Sequence, residues 1–367
     1  MFKRFSASKK NVIISLLVVI LIASVFTGGC AKPEPAAPPQ QNGEAVQPPA
    51  REYKPVELNL CHFMPPMHPL NTKILVPFSE EVAEKTDGRV KIFVYPANEL
   101  VGAADNFDGT VSGVIDIGFT LPAYTPGRFP LTTILEFPFM FTSPVQSNLV
   151  AWDLLNTNPA ITETEYKDVK VLWYGTTDLG HFLLKKPVDT VEGLKGLRLR
   201  SPSTVGNDVI TSLGAVPVTM PVPEVYDAIE RSIVEGTLLP VSTLISFNLS
   251  EVVDYVLEMN MYATPLHMVM NKASWDKISP EDQEIMTEIL AKFPEIMGKQ
   301  YLGDTEAGFK RAADAGIPVV SPSPAEMQKF HEAVDPLIAG WISDMEAKGL
   351  PGQEVFDQVK ALAEKYK

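Results

Sequence analysis

Short apolar strands alternate with helical segments from residue 56 onward, and this alternation constrains the fold more than any other feature of the chain. Three segments have the composition of strands: residues 56–63 (VELNLCHF), 90–95 (VKIFVY) and 115–121 (IDIGFTL). Residues 71–85 carry apolar side chains at helical spacing, and Pro77 predicts either a kink or the true first turn of that helix. A strand–helix–strand order predicts parallel strands joined by helical crossovers, and hence an α/β lobe.

A second set of strands follows, which predicts a second lobe. These strands are residues 169–174, 181–184, 197–200 and 216–220. Thr204 is a suitable cap for a helix that ends at Gly214, and Pro223 starts another helix. From residue 280 onward the chain is mostly helical, with breaks at prolines. We therefore expect two α/β lobes that share crossover segments and are closed by C-terminal helices. A body of about 315 residues also suits two lobes better than one hydrophobic core.

The first 29 residues have the pattern of a secretory signal. A cationic start that includes Lys3 and Arg4 precedes an apolar run at residues 12–26, which is shorter than the ~20 residues of a membrane-spanning helix. The run ends in Thr27-Gly28-Gly29-Cys30, and small residues before a cysteine resemble the lipobox of bacterial lipoproteins. Thr27 departs from that motif, which usually has an aliphatic residue there. We expect residues 1–29 to be a signal peptide and Cys30 to be lipidated.

Residues 30–52 form a proline-rich stretch with almost nothing to bury (CAKPEPAAPPQQNGEAVQPPARE). Such a segment buries too little apolar surface to offset the entropy lost on ordering, so its composition predicts an extended spacer. A lipidated Cys30 would make this spacer a tether to a membrane, and without lipidation it would be an ordinary disordered tail.

Charge and cysteine content exclude some functions. The net charge is −14, and an acidic surface repels phosphate backbones, so no nucleic-acid partner is expected. The same charge means that a pocket for an organic anion would need a local cation. Cys61 is the second of two cysteines and ends an apolar run, which predicts a small buried side chain and no nucleophile.

Motifs of catalysis and cofactor binding are missing. The sequence has no Gly-x-Ser-x-Gly, no phosphate-binding glycine-rich loop with lysine and no His-Glu-x-x-His. The five histidines have no spacing typical of a metal site. We therefore predict a protein that is not an enzyme and that uses no cofactor. We assign no metal ligand, and whether a metal assists ligand binding stays open.

Several segments, in order along the chain, resemble one transport family. They are KTDGRV (85–90) with Tyr95-Pro96, Pro138-Phe139, TVEGLKGLRLRSP (190–202), LGAVPVTMP (213–221) running into EVYDA (224–228), and VMNKASW (269–275). Together they resemble the dicarboxylate-binding-protein-like (DctP) family of solute-binding subunits of tripartite ATP-independent periplasmic (TRAP) transporters.

The resemblance implies a two-lobed, periplasmic-binding-protein-like α/β fold with crossover strands and a helical C-terminal region. We assign residues 53–175 plus about 266–300 to lobe I and residues 176–265 plus about 301–367 to lobe II. The resemblance also implies an extracytoplasmic protein that passes a small organic carboxylate to a small and a large membrane subunit. The lipid expected on Cys30, from the lipobox-like segment, would hold this protein at the membrane.

The resemblance implies that Arg200, at the end of the GLRLR strand, holds the carboxylate of the ligand. A guanidinium pairs with a carboxylate through two parallel hydrogen bonds and keeps its charge when buried. Position alone would favour pairing of Arg200 with a structural carboxylate, and the resemblance reverses this preference. Arg198 faces the same side of an ideal strand and is a weaker candidate.

Other positions depart from the sialic-acid and dicarboxylate binders of the family, and each departure removes a polar group. His181 lies where those proteins carry a second arginine, and Leu121 and Tyr124 lie where they carry an acid and an arginine. Val222 replaces an aromatic residue, and Leu239 replaces an asparagine. We therefore predict a monocarboxylate ligand with an apolar or aromatic body. The expected walls are Phe63, Met64, Tyr124, Trp173, Val222 and Leu239, and the expected neutral hydrogen-bonding partners are Thr120, His181 and Ser203.

Three alternatives stay open at the level of sequence. The first is a binding protein for an ATP-driven transporter. The second is an exported enzyme acting on a small organic acid. The third is a ligand-sensing partner of a signalling receptor.

Overall fold

The structure is a computed structural model and describes residues 54–367. This part of the chain consists of two β-sheets flanked by helices. The strands are β1 (Val56–His62), β2 (Val90–Tyr95), β3 (Ile117–Thr120), β4 (Val169–Thr176), β5 (Gly180–Leu184), β6 (Arg198–Ser201), β7 (Val216–Thr219), β8 (Gly236–Pro240), β9 (Tyr255–Leu257), β10 (Pro265–Asn271) and β11 (Val319–Val320). The expected signal peptide, Cys30 and the proline-rich spacer lie outside the described residues.

The first sheet has the order β2-β1-β3-β10-β4. Strand β1 pairs in parallel with β2 and β3, as the strand–helix alternation predicts. Strand β10 inserts antiparallel between β3 and β4. The predicted lobe boundaries place this segment in lobe I, but no strand pattern predicted its pairing. The first sheet is therefore completed by a strand from much later in the chain.

The second sheet has the order β11-β9-β5-β8-β6-β7. Strand β6 is parallel to β7 and β8, whereas β5 is antiparallel to β8 and β9. The chain enters this sheet in the segment between β4 and β5, leaves it in the segment between β9 and β10, and returns to it once more for β11. These two crossover segments are hydrogen-bonded to each other, from Thr177 N to Thr264 O (2.9 Å) and from Gly180 N to Tyr262 O (2.7 Å). The predicted two-lobed α/β architecture with shared crossovers is confirmed.

Helices cover both sheets and form the C-terminal region. They are α1 (Val76–Lys85), α2 (Asn106–Ser112), α3 (Pro144–Thr157), α4 (Pro159–Glu165), α5 (Val191–Leu194), α6 (Thr204–Ser212), α7 (Val225–Glu230), α8 (Thr243–Ser246), α9 (Lys272–Trp275), α10 (Pro280–Leu290), α11 (Phe293–Asp314), α12 (Pro324–Val334), α13 (Pro336–Ala347) and α14 (Gly352–Lys365). Within residues 54–367 no helix combines the length and the apolar character needed to cross a membrane.

Two local predictions can be compared with these boundaries. Pro77 lies in the first turn of α1, which follows a π-helical turn at Leu70–Leu75, so Pro77 marks the beginning of the α-helix. The prediction that Thr204 caps α6 is wrong. The cap is Ser203, because its extended backbone lets its Oγ accept a hydrogen bond from Gly206 N at 2.9 Å.

Two clusters of buried apolar side chains fill the interior, and each combines residues of the strands with residues of the helices and connecting segments. In the first sheet, the rings of Phe119 and Trp173 stack at 5.9 Å between centroids, and both are fully buried. Cys61 is free and fully buried, as predicted.

Candidate ligand-binding site

A cavity of about 250 Å³ is lined by segments that belong to both sheets. Phe63 and Met64, which follow β1, and Tyr124, which follows β3, line one side. Arg200 of β6 and Leu239 of β8 line the other. The cavity therefore lies where the ends of strands from the two sheets meet, the usual place for a ligand in open α/β sheets.

Arg200 is the central charged group of this cavity. It is fully buried, and its backbone is held between β7 and β8, opposite Val218 and Thr237. Its Nε donates a hydrogen bond to the carbonyl oxygen of Met220 at 2.9 Å. Its two terminal nitrogens have no hydrogen-bond partner among residues 54–367, and no carboxylate of those residues lies within salt-bridge distance. A buried charge with two free donors has a strong energetic requirement for an anionic partner.

Tyr124 lies beside this guanidinium. Its hydroxyl oxygen accepts a hydrogen bond from Val222 N at 2.9 Å, and its ring meets that of Phe63 edge-on at 5.5 Å between centroids. Burial raises the pKa of Tyr124, and the positive charge of Arg200 offsets only part of this effect. The phenol therefore stays protonated near neutral pH, and its hydrogen is free to be donated to an anion.

Six of the ten residues that the sequence predicts for ligand binding line this cavity. They are Phe63, Met64, Tyr124, Arg200, Val222 and Leu239. Four of them are apolar, so the walls beside Arg200 offer contact area and few hydrogen bonds.

The other four predicted residues do not line it. Trp173 is packed in the core of the first sheet, and the Oγ1 of Thr120 donates to Ala103 O at 3.4 Å. The Nδ1 of His181 accepts a hydrogen bond from Met259 N at 3.1 Å, and burial lowers the pKa of this histidine to about 4. Ser203 is occupied as the cap of α6. These four side chains are therefore not part of the lining of this cavity, and their contact with a ligand stays a prediction.

Arg198, the weaker candidate, does not line the cavity either. It is exposed, and its Nη2 donates to Ser232 O at 2.8 Å. This arginine therefore differs from Arg200 in both burial and hydrogen bonding.

Sequence reasoning missed two acidic residues in the lining, Asp178 and Asp304. Asp178 lies in the crossover between β4 and β5 and is almost completely buried, whereas Asp304 lies on α11 and is half-buried. Burial raises the pKa of Asp178 to about 7; the hydroxyl of Ser242 opposes this shift and the charge of Asp304 adds to it. The position of Asp178 next to Leu179 and Gly180, in a segment that departs from the family pattern, is the one signal that pointed to this region.

A second cavity, of about 400 Å³, shares a wall with the first. Pro122, Ala123 and Ser203 face the second cavity, whereas Leu121, Tyr124 and Pro202 from the same segments face the first. Glu136 lines the second cavity, and burial raises its pKa to about 7, although the hydroxyl of Ser203 lowers it in part. No sequence pattern indicated that this acid is buried.

The sequence model of one family, described as bacterial extracellular solute-binding protein, family 7 (DctP), matches residues 60–344. The chain belongs to this family. Proteins of family 7 are extracytoplasmic solute-binding components of TRAP transporters, so the predicted transport class is confirmed. This membership sets aside the alternatives of an exported enzyme and of a binding protein for an ATP-driven transporter.

Solved structures of family 7 proteins have the same fold. A TRAP solute-binding protein from Rhodoferax ferrireducens T118, in complex with copurified benzoate, has a TM-score of 0.81 and 28% identity over 85% of this chain and 98% of its own. One from a marine metagenome, specific for aromatic acid ligands, has a TM-score of 0.81 and 30% identity over 85% of this chain and 99% of its own. One from Bordetella bronchiseptica, with bound (R)- and (S)-mandelate, has a TM-score of 0.80 and 26% identity over 85% of this chain and 100% of its own.

A curated relative supports the same assignment of family and location. The 2,3-diketo-L-gulonate-binding periplasmic protein YiaO of Escherichia coli K12 is 26% identical over 291 residues, which cover 78% of this chain and 85% of that protein.

Proposed function

We propose that this protein captures a small monocarboxylate with an aromatic or apolar body in the cavity at Arg200 and delivers it to the membrane subunits of a TRAP transporter. The observation that carries the proposal is a fully buried guanidinium that lines a cavity and whose two terminal nitrogens have no partner among residues 54–367. A carboxylate would accept both free hydrogen bonds and neutralise the charge.

The size and walls of the cavity favour a compact, apolar body. A dry cavity of about 150 Å³ is enough for benzene, so about 250 Å³ has room for a ring and a carboxylate. Phe63, Met64 and Leu239 would contact such a ring. The benzoate, aromatic acids and mandelate of the three related structures are all compounds of this type.

A second carboxylate on the ligand would be disfavoured. His181 supplies no positive charge, because burial lowers its pKa to about 4 and it does not line the cavity. Lys73 does line the cavity, but its side chain is exposed to solvent. Each polar ligand group left without a partner would cost about 1–3 kcal/mol.

We propose that binding acts through closure of the two lobes about the paired crossover segments. The ligand would be held between Arg200 of one lobe and the Phe63 side of the other, and closure would exclude water from the ion pair. The membrane subunits would then distinguish the closed form from the open one. The lobe boundaries at residues 175/176, 265/266 and about 300/301 are part of this proposal.

We also propose that residues 1–29 are removed on export, that Cys30 carries a lipid, and that residues 30–52 are the tether. The support is the cationic and apolar start followed by small residues before Cys30. In cells that express the full chain, Cys30→Ala should move the protein from the membrane fraction to the fluid outside the cytoplasm. Continued sedimentation of this variant with membranes would contradict lipidation at Cys30.

The ligand class is tested by melting the purified protein in the presence of single organic acids. Benzoate, phenylacetate and mandelate should raise the melting temperature, because a ligand at about 100 times its Kd adds about 2.7 kcal/mol to the stability of the folded state. Stabilisation by succinate or sialic acid, with none by any monocarboxylate, would overturn the proposal.

A further inference from the structure

The cavity has a second polar region besides Arg200, formed by Asp178, Asp304 and Tyr301. Asp178 reaches it from the crossover between the lobes, and the other two reach it from α11. Apolar side chains, among them Leu239 and Leu266, form other parts of the same lining. The lining therefore offers a ligand three kinds of surface: one cationic group, one acidic region and apolar walls.

The two carboxyl groups are only partly occupied by the protein itself. Oδ2 of Asp178 accepts a hydrogen bond from the Oγ1 of Thr305 at 3.2 Å, and Oδ1 of Asp304 accepts one from the Nε2 of Gln300 at 2.7 Å. Neither carboxylate has a salt bridge among residues 54–367. The hydroxyl of Ser242 also acts on Asp178. A carboxylate accepts about four hydrogen bonds, so both groups, which line the cavity, keep unused acceptor capacity.

We infer that Asp178, together with Asp304, determines specificity by accepting a hydrogen bond from a hydroxyl group of the ligand whose carboxylate is bound at Arg200. The inference rests on the proposed function and adds that the ligand carries a hydroxyl group besides its carboxylate. The substrate class becomes a hydroxylated monocarboxylate with a ring or other apolar body.

The electrostatics of the region favour a donor and disfavour an anion. Burial raises the pKa of Asp178 to about 7, and burial also raises the pKa of Asp304, against the positive charge of Lys73. Burial raises the pKa of Tyr301 well above its usual range, and the charges of Asp178 and Asp304 add to this effect. The carboxylates of Asp178 and Asp304 already repel each other. A hydroxyl hydrogen of the ligand would stabilise them, whereas a second carboxylate on the ligand would destabilise them further.

The experiment compares ligands that differ in one group. Calorimetric titration of the purified protein at pH 8 would use benzoate, the three hydroxybenzoates, their methyl ethers and benzene-1,3-dicarboxylate. A hydrogen bond to a charged acceptor predicts that at least one hydroxybenzoate binds roughly tenfold more tightly than benzoate. Its methyl ether, which has no hydrogen to donate, should lose that gain, and the dicarboxylate should bind more weakly than benzoate.

Variants identify the acceptor. Asp178→Ala and Asp178→Asn should reduce the preference for the hydroxylated acid over benzoate to less than about threefold while benzoate itself still binds. Asp276→Asn, at an exposed aspartate that does not line the cavity, should leave the preference unchanged. Retained binding of benzoate shows that each variant is folded.

The outcomes separate the two proposals. Binding of benzoate with no gain from any hydroxyl, or a gain that survives both Asp178 variants, would overturn the role of Asp178 and leave the proposed function in place. No binding of any of these acids would overturn both.

Discussion

The hydroxyl oxygen of Tyr124 accepts a hydrogen bond from the backbone N–H of Val222 at 2.9 Å, next to the buried guanidinium of Arg200. Tyr124 follows a strand of the first sheet, and Val222 follows a strand of the second. One phenol thus links the two lobes at the wall of the cavity and offers its own hydrogen to a bound anion.

Replacing Tyr124 by phenylalanine should weaken ligand binding. The change removes one hydrogen-bond donor at the anion, which costs about 1 kcal/mol of binding free energy. Titration with benzoate should therefore give a Kd roughly five- to tenfold higher. Tyr226→Phe is the matched control, because that hydroxyl donates to Glu251 away from the cavity. Equal effects of the two changes would contradict this role of Tyr124.

Replacing Arg200 by alanine should strongly weaken binding of monocarboxylates. The bound carboxylate would be buried without a cation, at a cost of about 2 kcal/mol or more, which is roughly a 30-fold loss of affinity. Arg198→Ala is the control, since this arginine lies two residues earlier on the same strand, is exposed and bonds to Ser232 O. Wild-type affinity in Arg200→Ala would remove the basis of the ligand assignment.

Replacing Glu136 by glutamine should change how stability depends on pH. The folded-state pKa of Glu136 is about 7 because of burial, whereas an unfolded glutamate titrates near 4.5. Between these values the folded state binds more protons than the unfolded state, so this group loses its stabilising contribution as pH rises from about 4.5 to 7. The variant lacks this loss. The difference in unfolding free energy between variant and wild type should therefore shift in favour of the variant by about 2 kcal/mol from pH 5 to pH 8.

The comparison must be made between variants at each pH. His62, His181 and His267 are fully buried, and burial lowers their pKa values to about 4, 4 and 3. These histidines make stability rise with pH over part of the same range, so they oppose Glu136 in the wild-type profile. Denaturant titrations of wild type, Glu136→Gln and the exposed control Glu306→Gln would isolate the contribution. A difference between Glu136→Gln and wild type that does not vary with pH would refute the prediction.

Two glycines of helix α11 should respond to alanine with opposite signs. A Cβ at Gly308 would lie 2.6 Å from the backbone of Val241, so Gly308→Ala must displace either the helix or the segment after β8. We expect a loss of about 1–3 kcal/mol in unfolding free energy. A Cβ at Gly303 meets no atom within 4 Å, and Gly303→Ala should stabilise the exposed helix by about 0.5–1 kcal/mol. Thermal melting of the two variants checks both signs, and stabilisation by Gly308→Ala would contradict the close packing of α11.

Local patterns predicted the parallel strands and a kink or first turn at Pro77, because each depends on residues close in sequence, whereas Arg200 was expected at the ligand because of the family resemblance. They did not predict β10, whose two neighbours, β3 and β4, are distant in the chain. Trp173 was expected at the ligand and lies in the core, since β4 is largely buried on both faces and alternation does not then distinguish core from cavity. Asp178 and Glu136 were missed because an acid looks the same in sequence whether it is solvated or buried.

Strand β10 is synthesised late, and this affects how the chain folds while it is being made from its N-terminus. Strand β4 has β10 as its one neighbour in the first sheet, and β3 has β10 on one side. Until residue 271 is available, both strands have unsatisfied edges, and such edges favour pairing with other chains. The entire set of strands from β5 to β9 must be produced during that interval. The first lobe therefore cannot be a finished template on which the second assembles, and a protein cut after Thr176 would expose the very edges that the complete chain covers.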